Sequence, residues 1–328
     1  MNAIRPWVRL GRLLNAREWS LLIAALLAIA LFTAGSPYFA TADNATTILR
    51  NSIELLLAAL GMTLLLAMGG IDISVGVAMG VAAIVVGRLL QADTSPFIAG
   101  LSGPIAGALL GILTGAVVVL GRIPAIVGTL GLFGVYRTAV FVLLGGQWLS
   151  GLPTGLTEVM GLRIAGMPLS AVILILTYAV VWFLFRRTPF GTHLLAIGHS
   201  EEKARLSGVP VTRVRMAAFV FSGALVGLAA TFYIANYRNV AMTVGGSLGL
   251  DAVAAVVLGG TSILGGRCSL VGTVLGVLLL RILQNGLLLI GVPSLWQTVV
   301  TGGLLIAVLT LEVLGNRLNL AEAGWMKR

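Results

Sequence analysis

The chain has 328 residues, of which 58% are hydrophobic and 10% charged, and its mean hydropathy is +1.05. A soluble fold of this length does not carry so little charge, whereas a polytopic helical membrane protein does, because helices satisfy their own backbone in lipid. The formal net charge of +10 sits mainly at the ends of apolar runs, as membrane topology requires, so nucleic acid is set aside as a partner.

In chain order, residues 1–18 carry Arg5, Arg9, Arg12 and Arg17 ahead of an apolar run over 19–34. A cleaved signal is one reading of this start; an uncleaved first span agrees better with the charges and the many later spans. Residues 36–50 read as a polar loop. A second span covers 53–68 and is broken by Gly69-Gly70, and a third, 75–90, is entered through Ile71-Asp72-Ile73-Ser74. The fourth, 96–120, carries Gly103, Gly107, Gly111 and Gly115 on one face, a groove that predicts close packing of another helix. The fifth covers 123–144, a turn-rich stretch follows over 145–168, and the sixth is 169–185.

Residues 186–215 form the longest polar interruption, with Arg186, Arg187, Lys203, Arg205, Arg213 and Arg215 against Glu201 and Glu202. His193 and His199 both fall in it and read as solvated loop residues rather than metal ligands. The seventh span is 216–235, with Gly223 and Gly227 again four apart. Residues 250–258 are too short to cross and read as a partial helix. Spans over 270–289 and 296–314 complete about ten transmembrane segments in one domain, 1–328. With both termini and the 186–215 segment cytoplasmic, the outer loops receive only Arg50, Arg163 and Arg238, which obeys the positive-inside rule. Met68-Gly69-Gly70 and Leu258-Gly259-Gly260 are a weak internal echo of the kind that duplicated transporters place at broken helices.

The chemistry an enzyme needs is missing from the pattern. The sequence has no phosphate loop, HExxH or CxxC, and the single Cys268 excludes an intrachain disulfide. The one GxSxG match, Gly245 to Gly249, lacks a later histidine, so it reads as chance in a glycine-rich loop. No enzyme activity, metal or cofactor is expected. Three acids near or within spans, Glu54, Asp72 and Asp251, each need a partner or a water-filled route. For Asp72, with Ser74 placed to cap the next helix, two readings stand level. One is a broken helix whose N-terminal amides face a translocation path; the other is a capped helix entry at the membrane surface. Asp251 reads foremost as a helix N-terminal charge. Mid-span Arg281 reads as a structural pairing. Trp148 and Tyr237 read as interfacial anchors rather than sugar-stacking rings.

Several stretches resemble the ribose-type branch of the branched-chain amino acid and sugar permease family of ABC importers. They are Gly69-Gly70-Ile71-Asp72-Ile73-Ser74-Val75-Gly76, Ile123-Pro124-Ala125-Ile126-Val127 with Thr129-Leu130-Gly131, Gly145-Gly146-Gln147, Ala196-Ile197-Gly198 through Gly208-Val209-Pro210, and Leu250-Asp251-Ala252 through Gly259-Gly260-Thr261-Ser262. The resemblance covers roughly residues 50–310. It implies an all-α, type II importer-like permease of a bacterial inner membrane that works by alternating access. Its implied partners are a cytoplasmic ATPase subunit, a second copy or sister permease, and a periplasmic sugar-binding protein. The ATPase-coupling segment would comprise Gly198, Ser200, Glu201, Glu202, Ala204, Arg205 and Gly208. Locally, Ser200 is positioned to cap a short helix over 201–206, ended by Gly208 and Pro210. Candidates for the translocation path are Gly69, Gly70, Asp72, Ser74, Thr129 and Asp251. His199-Ser200, Lys203, Gly249 and Arg281 depart from the family's pattern. The implied cargo is a small neutral sugar such as ribose, rhamnose or autoinducer-2. An ion-coupled secondary transporter using Asp72 or Glu54, and a scaffold that only anchors a cytoplasmic partner, are the competing classes.

Overall fold

The structure, a computed structural model, describes residues 16–293 and scattered helical positions between 296 and 310. Twelve α-helices are present among the described residues: α1 Ala16–Gly35, α2 Ala42–Ala67, α3 Val75–Gln91, α4 Pro96–Gly115, α5 Ala125–Leu144, α6 Gly155–Gly161, α7 Leu169–Arg187, α8 Pro189–His199, α9 Glu201–Leu206, α10 Val211–Tyr237, α11 Leu248–Leu258 and α12 Leu270–Leu289. A short hairpin, β1 Arg163–Ile164 with β2 Met167–Pro168, and an isolated bridge between Leu149 and Val240 interrupt the helices among the described residues. Seven helices (α1, α2, α4, α5, α7, α10 and α12) are long and apolar enough to cross a membrane, and α3 and α11 are shorter apolar helices. These nine match the first nine expected segments; the tenth, 296–314, falls almost wholly outside the described residues.

The packing follows from side-chain size. α2 lies at the centre, with 78% of its apolar window buried, whereas α7 buries 11% and turns its apolar side chains to lipid. α10 packs on α4, α2 and α3, and α12 packs on α1, α2 and α11. The glycine stripe of α4 meets the glycines of α10 as expected. A Cβ at Gly107 would strike the Gly223 carbonyl, and one at Gly227 would strike the Gly103 carbonyl. Backbones in such contact gain dispersion energy that larger residues would forbid. α4 ends in a π-helical turn, Ala116–Leu120, before the turn over 121–124.

α1 is an integral part of the bundle. Arg17 donates to the Val257 carbonyl at 2.9 Å, Ser269 donates to Glu18 at 2.5 Å, and Phe32 packs over Gly286.

Two expectations about loops are corrected. The loop expected over 36–50 ends at Thr41, whose Oγ1 accepts the Asn44 amide at 3.2 Å and starts α2 about three turns early. The interruption over 186–215 is almost entirely helical. α7 runs through Arg187, and Thr188 then accepts the Phe190 amide at 3.3 Å to launch α8, with Pro189 at a first-turn position where no amide is needed. His193 and His199 therefore sit on a helix, and His199 Nδ1 pairs with the Leu195 carbonyl at 2.8 Å.

Candidate functional site

The end of the molecule that carries α8 and α9 is called here the basic end. α2 reaches it at Ala67 and stops because Gly69 adopts a left-handed φ of +77°, with the Gly70 amide returning to the Leu65 carbonyl at 2.9 Å. α11 stops at the same end by the same device. Gly260 has φ +96°, and the Thr261 amide returns to the Val256 carbonyl at 3.2 Å. The echo between the two Gly-Gly pairs is thus a repeated helix stop.

Between Ala67 and Val75 the chain is extended, and its backbone groups need partners away from water. Thr129 on α5 supplies them. Its hydroxyl accepts the Ile73 amide at 3.3 Å and donates to the Ile71 carbonyl at 3.3 Å, and the residue is fully buried. Asp72 turns back on its own segment, Oδ1 accepting the Ser74 amide at 2.9 Å and the Ser74 hydroxyl at 2.6 Å. This corrects the expected cap: Ser74 holds the N-cap position of α3 but makes no side-chain cap bond, because its hydroxyl is given to the carboxylate. An aspartate accepting two residues on is an Asx-type turn, which sets the angle at which α3 begins.

α3 and α11 both start next to this break. A Cβ at Gly76 would strike the Gly245 carbonyl, and Gly249 lies against the Ile73 carbonyl. The N-terminal ends of two short apolar helices therefore meet, with α11 leading back to the basic end and α3 leading away from it. The GxSxG match is the entry into α11, with Ser247 at its N-cap.

The six candidates for the path divide into three places. Gly69 and Gly70 lie at the basic end, Gly69 against Leu264. Asp72, Ser74 and Thr129 form the cluster just described. Asp251 lies in the first turn of α11, where its carboxylate is hydrogen-bonded by Ser247 at the N-cap of the same helix and by Gln284 of α12, with the Arg281 charge of α12 nearby. Arg281 is paired as expected, its Nη1 donating to Gln284 at 2.9 Å, while its Nε is buried without a hydrogen-bond partner. Glu54 faces α10 and accepts from Asn236 at 2.9 Å. Tyr237 donates to Asn51 at 3.2 Å.

At the basic end, α8 and α9 form a bent pair. Ser200 Oγ accepts the Lys203 amide at 3.3 Å, and Glu201 and Glu202 occupy the first turn of α9, where the helix dipole favours acids. Gly208, at φ +84°, ends the element, with its amide on the Arg205 carbonyl at 3.0 Å. Ala204 is buried, while Glu202, Lys203, Arg205 and Leu206 point outward, Leu206 being 82% exposed. Gly198 fixes the pair to the bundle. A Cβ there would collide with the Ala67 carbonyl and with the Gly266 amide, so α8 sits directly on the stop of α2 and on the Gly265-Gly266 turn that follows α11. Glu201 is shared, taking Arg205 at 2.8 Å and Arg215 of α10 at 2.9 Å.

Sequence reasoning passed over Arg215, Leu206 and Arg122 as site residues. Arg215 carries no motif, and only the register of α10 from its start at Val211 could have turned it toward α9.

The comparisons with known proteins match this architecture. Residues 44–309 match the family described as "Branched-chain amino acid transport system / permease component". The ribose import permease protein RbsC of Bacillus subtilis is 36% identical over 277 residues, covering 84% of this chain and 86% of that protein. RbsC of Escherichia coli K12 is 34% identical over 301 residues, with 88% and 93% covered. The autoinducer 2 import system permease protein LsrC of Enterobacter sp. 638 is 37% identical over 303 residues, with 92% and 88% covered. Among solved structures, a metal-chelate type ABC transporter in an inward-facing conformation superposes with a TM-score of 0.52 at 14% identity, covering 90% of this chain and 98% of that one, a likeness of fold alone. With a helical bundle of membrane-span length and that match over most of its length, the chain belongs to the permease-component family of ABC transport systems.

Proposed function

We propose that this chain imports a small sugar of the ribose or autoinducer-2 kind, as the non-catalytic membrane subunit that a separate ATPase drives. The observation that carries this reading is the seating of α8 and α9. A short capped helix, outward-facing at Leu206 and based through Gly198 on the stop of α2 and the Gly265-Gly266 turn after α11, is suited to pass a partner's movement into the bundle. A floppy segment would absorb that movement.

In this reading Gly198, Ser200, Glu201, Glu202, Ala204, Arg205 and Gly208 form the coupling element. Ser200 and Gly208 set its ends, Gly198 and Ala204 seat it, and Glu202 and Arg205 meet the ATPase. The basic end and both termini face the cytoplasm of a bacterial inner membrane, in keeping with the positive-inside rule. A second permease completes the path, and a periplasmic binding protein delivers the sugar.

The break at Asp72, Ser74 and Thr129, with Gly69 and Gly70 below it and Asp251 on α11 beyond, is where the path alternates. Two helices of 17 and 11 residues whose N-terminal ends abut can part there without unwinding a full span.

The test is uptake of labelled ribose and autoinducer-2 into proteoliposomes that contain the chain, a cognate ATPase and a binding protein. Accumulation should require ATP and all three proteins and should survive collapse of the proton gradient. Gradient-driven accumulation by the chain alone would overturn the reading in favour of a secondary transporter.

A further inference from the structure

A pocket of about 490 Å³ opens at the basic end between the 116–124 segment, α9 and the first turns of α10. Three arginines line it, Arg122, Arg205 and Arg215, with Glu201 as the one acid among its lining residues. Glu201 is already divided between Arg205 and Arg215, so the pocket retains positive charge. Two features mark this charge as unfinished. The Nε of Arg215 is buried without a hydrogen-bond partner, and a guanidinium N–H in that state costs free energy until an acceptor reaches it. Arg122 is exposed in the turn, on a left-handed backbone of φ +55°.

The remaining wall is mostly apolar, from Val118, Val119, Ile123, Pro124 and Val211, with Thr212 the other polar residue on it. From Ile123 the apolar surface continues along α5, where Ile126, Val127 and Leu130 are all exposed. Both α4 and α5 are spans, so the pocket lies at the depth where a bilayer changes from acyl chain to headgroup.

We propose that this pocket binds an anionic phospholipid, with its phosphate between Arg122 and Arg215 and its acyl chains along α5. A guanidinium pair matches phosphate oxygens in geometry as well as charge. A free phosphate satisfies the arginines equally but leaves the apolar wall and the α5 face unused, which favours the lipid. The inference does not depend on the cargo or on the ATPase. It does place a lipid beside α9, where its presence sets the position of Glu201.

The experiment uses the full chain, purified in neutral detergent and stripped of lipid, then titrated with phosphatidylglycerol or phosphatidylcholine and read by native mass spectrometry. Phosphatidylglycerol should be retained over phosphatidylcholine, and Arg122→Gln should reduce that preference about five-fold, the increment expected for one interfacial arginine. Arg122→Gln/Arg215→Gln should abolish the preference, while Arg50→Gln, at the far end of the molecule, should leave it unchanged. Arg122 lies in an exposed turn, so its variant is decisive even if the double variant folds poorly. Equal retention of the two lipids, or a preference that survives Arg122→Gln, overturns the proposal. Full displacement of phosphatidylglycerol by millimolar inorganic phosphate overturns it in favour of a soluble anion.

Discussion

Arg215 reaches from the second turn of α10 to the carboxylate of Glu201 on α9, at 2.9 Å, while Arg205 takes the other oxygen at 2.8 Å. The two pairs are unequal. Arg205 and Glu201 are exposed at 68% and 42% of their side chains, whereas Arg215 is exposed at 24%. Exposed pairs within a helix contribute only about 0.3–0.5 kcal/mol, so the Arg215 contact is the one that ties α9 to a span.

Glu201→Gln should therefore lower coupled sugar uptake several-fold while leaving thermal stability nearly unchanged, within about 1 kcal/mol. Arg205→Gln should change uptake less. Uptake in proteoliposomes beside an unfolding curve in detergent separates the two effects, and a stability loss as large as the uptake loss would contradict the tether.

The α4–α10 contact predicts a steep size limit. Gly107→Val and Gly223→Val place methyl groups where backbone carbonyls now lie, and overpacking of that kind costs about 1–3 kcal/mol or more when backbone must move. Gly134→Ala on α5, with open space around it, should be neutral. Melting temperatures of the three purified variants give the comparison.

Arg281 stands among buried acids and amides, near Asp251 and Glu54 and bonded to Gln284. Arg281→Met should destabilise by about 1–3 kcal/mol, because Gln284 loses its charged partner and two nearby buried acids lose a favourable charge. Arg281→Met/Asp251→Asn should recover a substantial part of that loss. A strictly additive double variant would show that the arginine and Asp251 do not interact.

Cys268 lies between α11 and α12, where burial pushes its thiol up from 9.0 to about 12, the nearby Arg186 lowering it only in part. Its thiolate fraction at neutral pH is about a thousandth of that of a free cysteine, and reaction with maleimide should slow accordingly. The sign for stability follows. With the folded value raised, the neutral thiol favours the native state in full up to pH 8, and this contribution fades as pH rises through 9 toward 12. Fast labelling of the native protein at pH 7.5, timed by mass spectrometry, would contradict the burial.

Local signals were the ones the sequence displayed. Ser200, Glu201 and Gly208 announce α9 because capping chemistry acts within a few residues, and the glycines of α4 announce a close partner because their spacing is the helix repeat. Sequence pattern hid whatever depends on distant chain. Ser74 has the position of a cap, yet its hydroxyl goes to Asp72 because the break points that carboxylate inward. Thr129 stands out in the sequence only through the Thr129-Leu130-Gly131 resemblance, and its role in satisfying Ile71 and Ile73 exists only once α5 lies beside the break. Residues 189–199 look like loop in the sequence because the charged neighbours Arg186 and Arg187 outweigh the apolar face of Leu194 and Ile197. The beginning of α2 was missed because Asp43 and Asn44 look like loop until Thr41 is seen to cap them.

The glycine contact between α4 and α10 has a mechanical corollary. With Gly107 on Gly223 and Gly103 on Gly227, no layer of side chains lies between the two helices to shear or change rotamer. They form one girder, and α10 begins directly after α9. A displacement delivered at Glu201 would therefore move α4 and α10 together, from Arg215 to the far tip at Arg238, with no repacking needed at the glycine contacts.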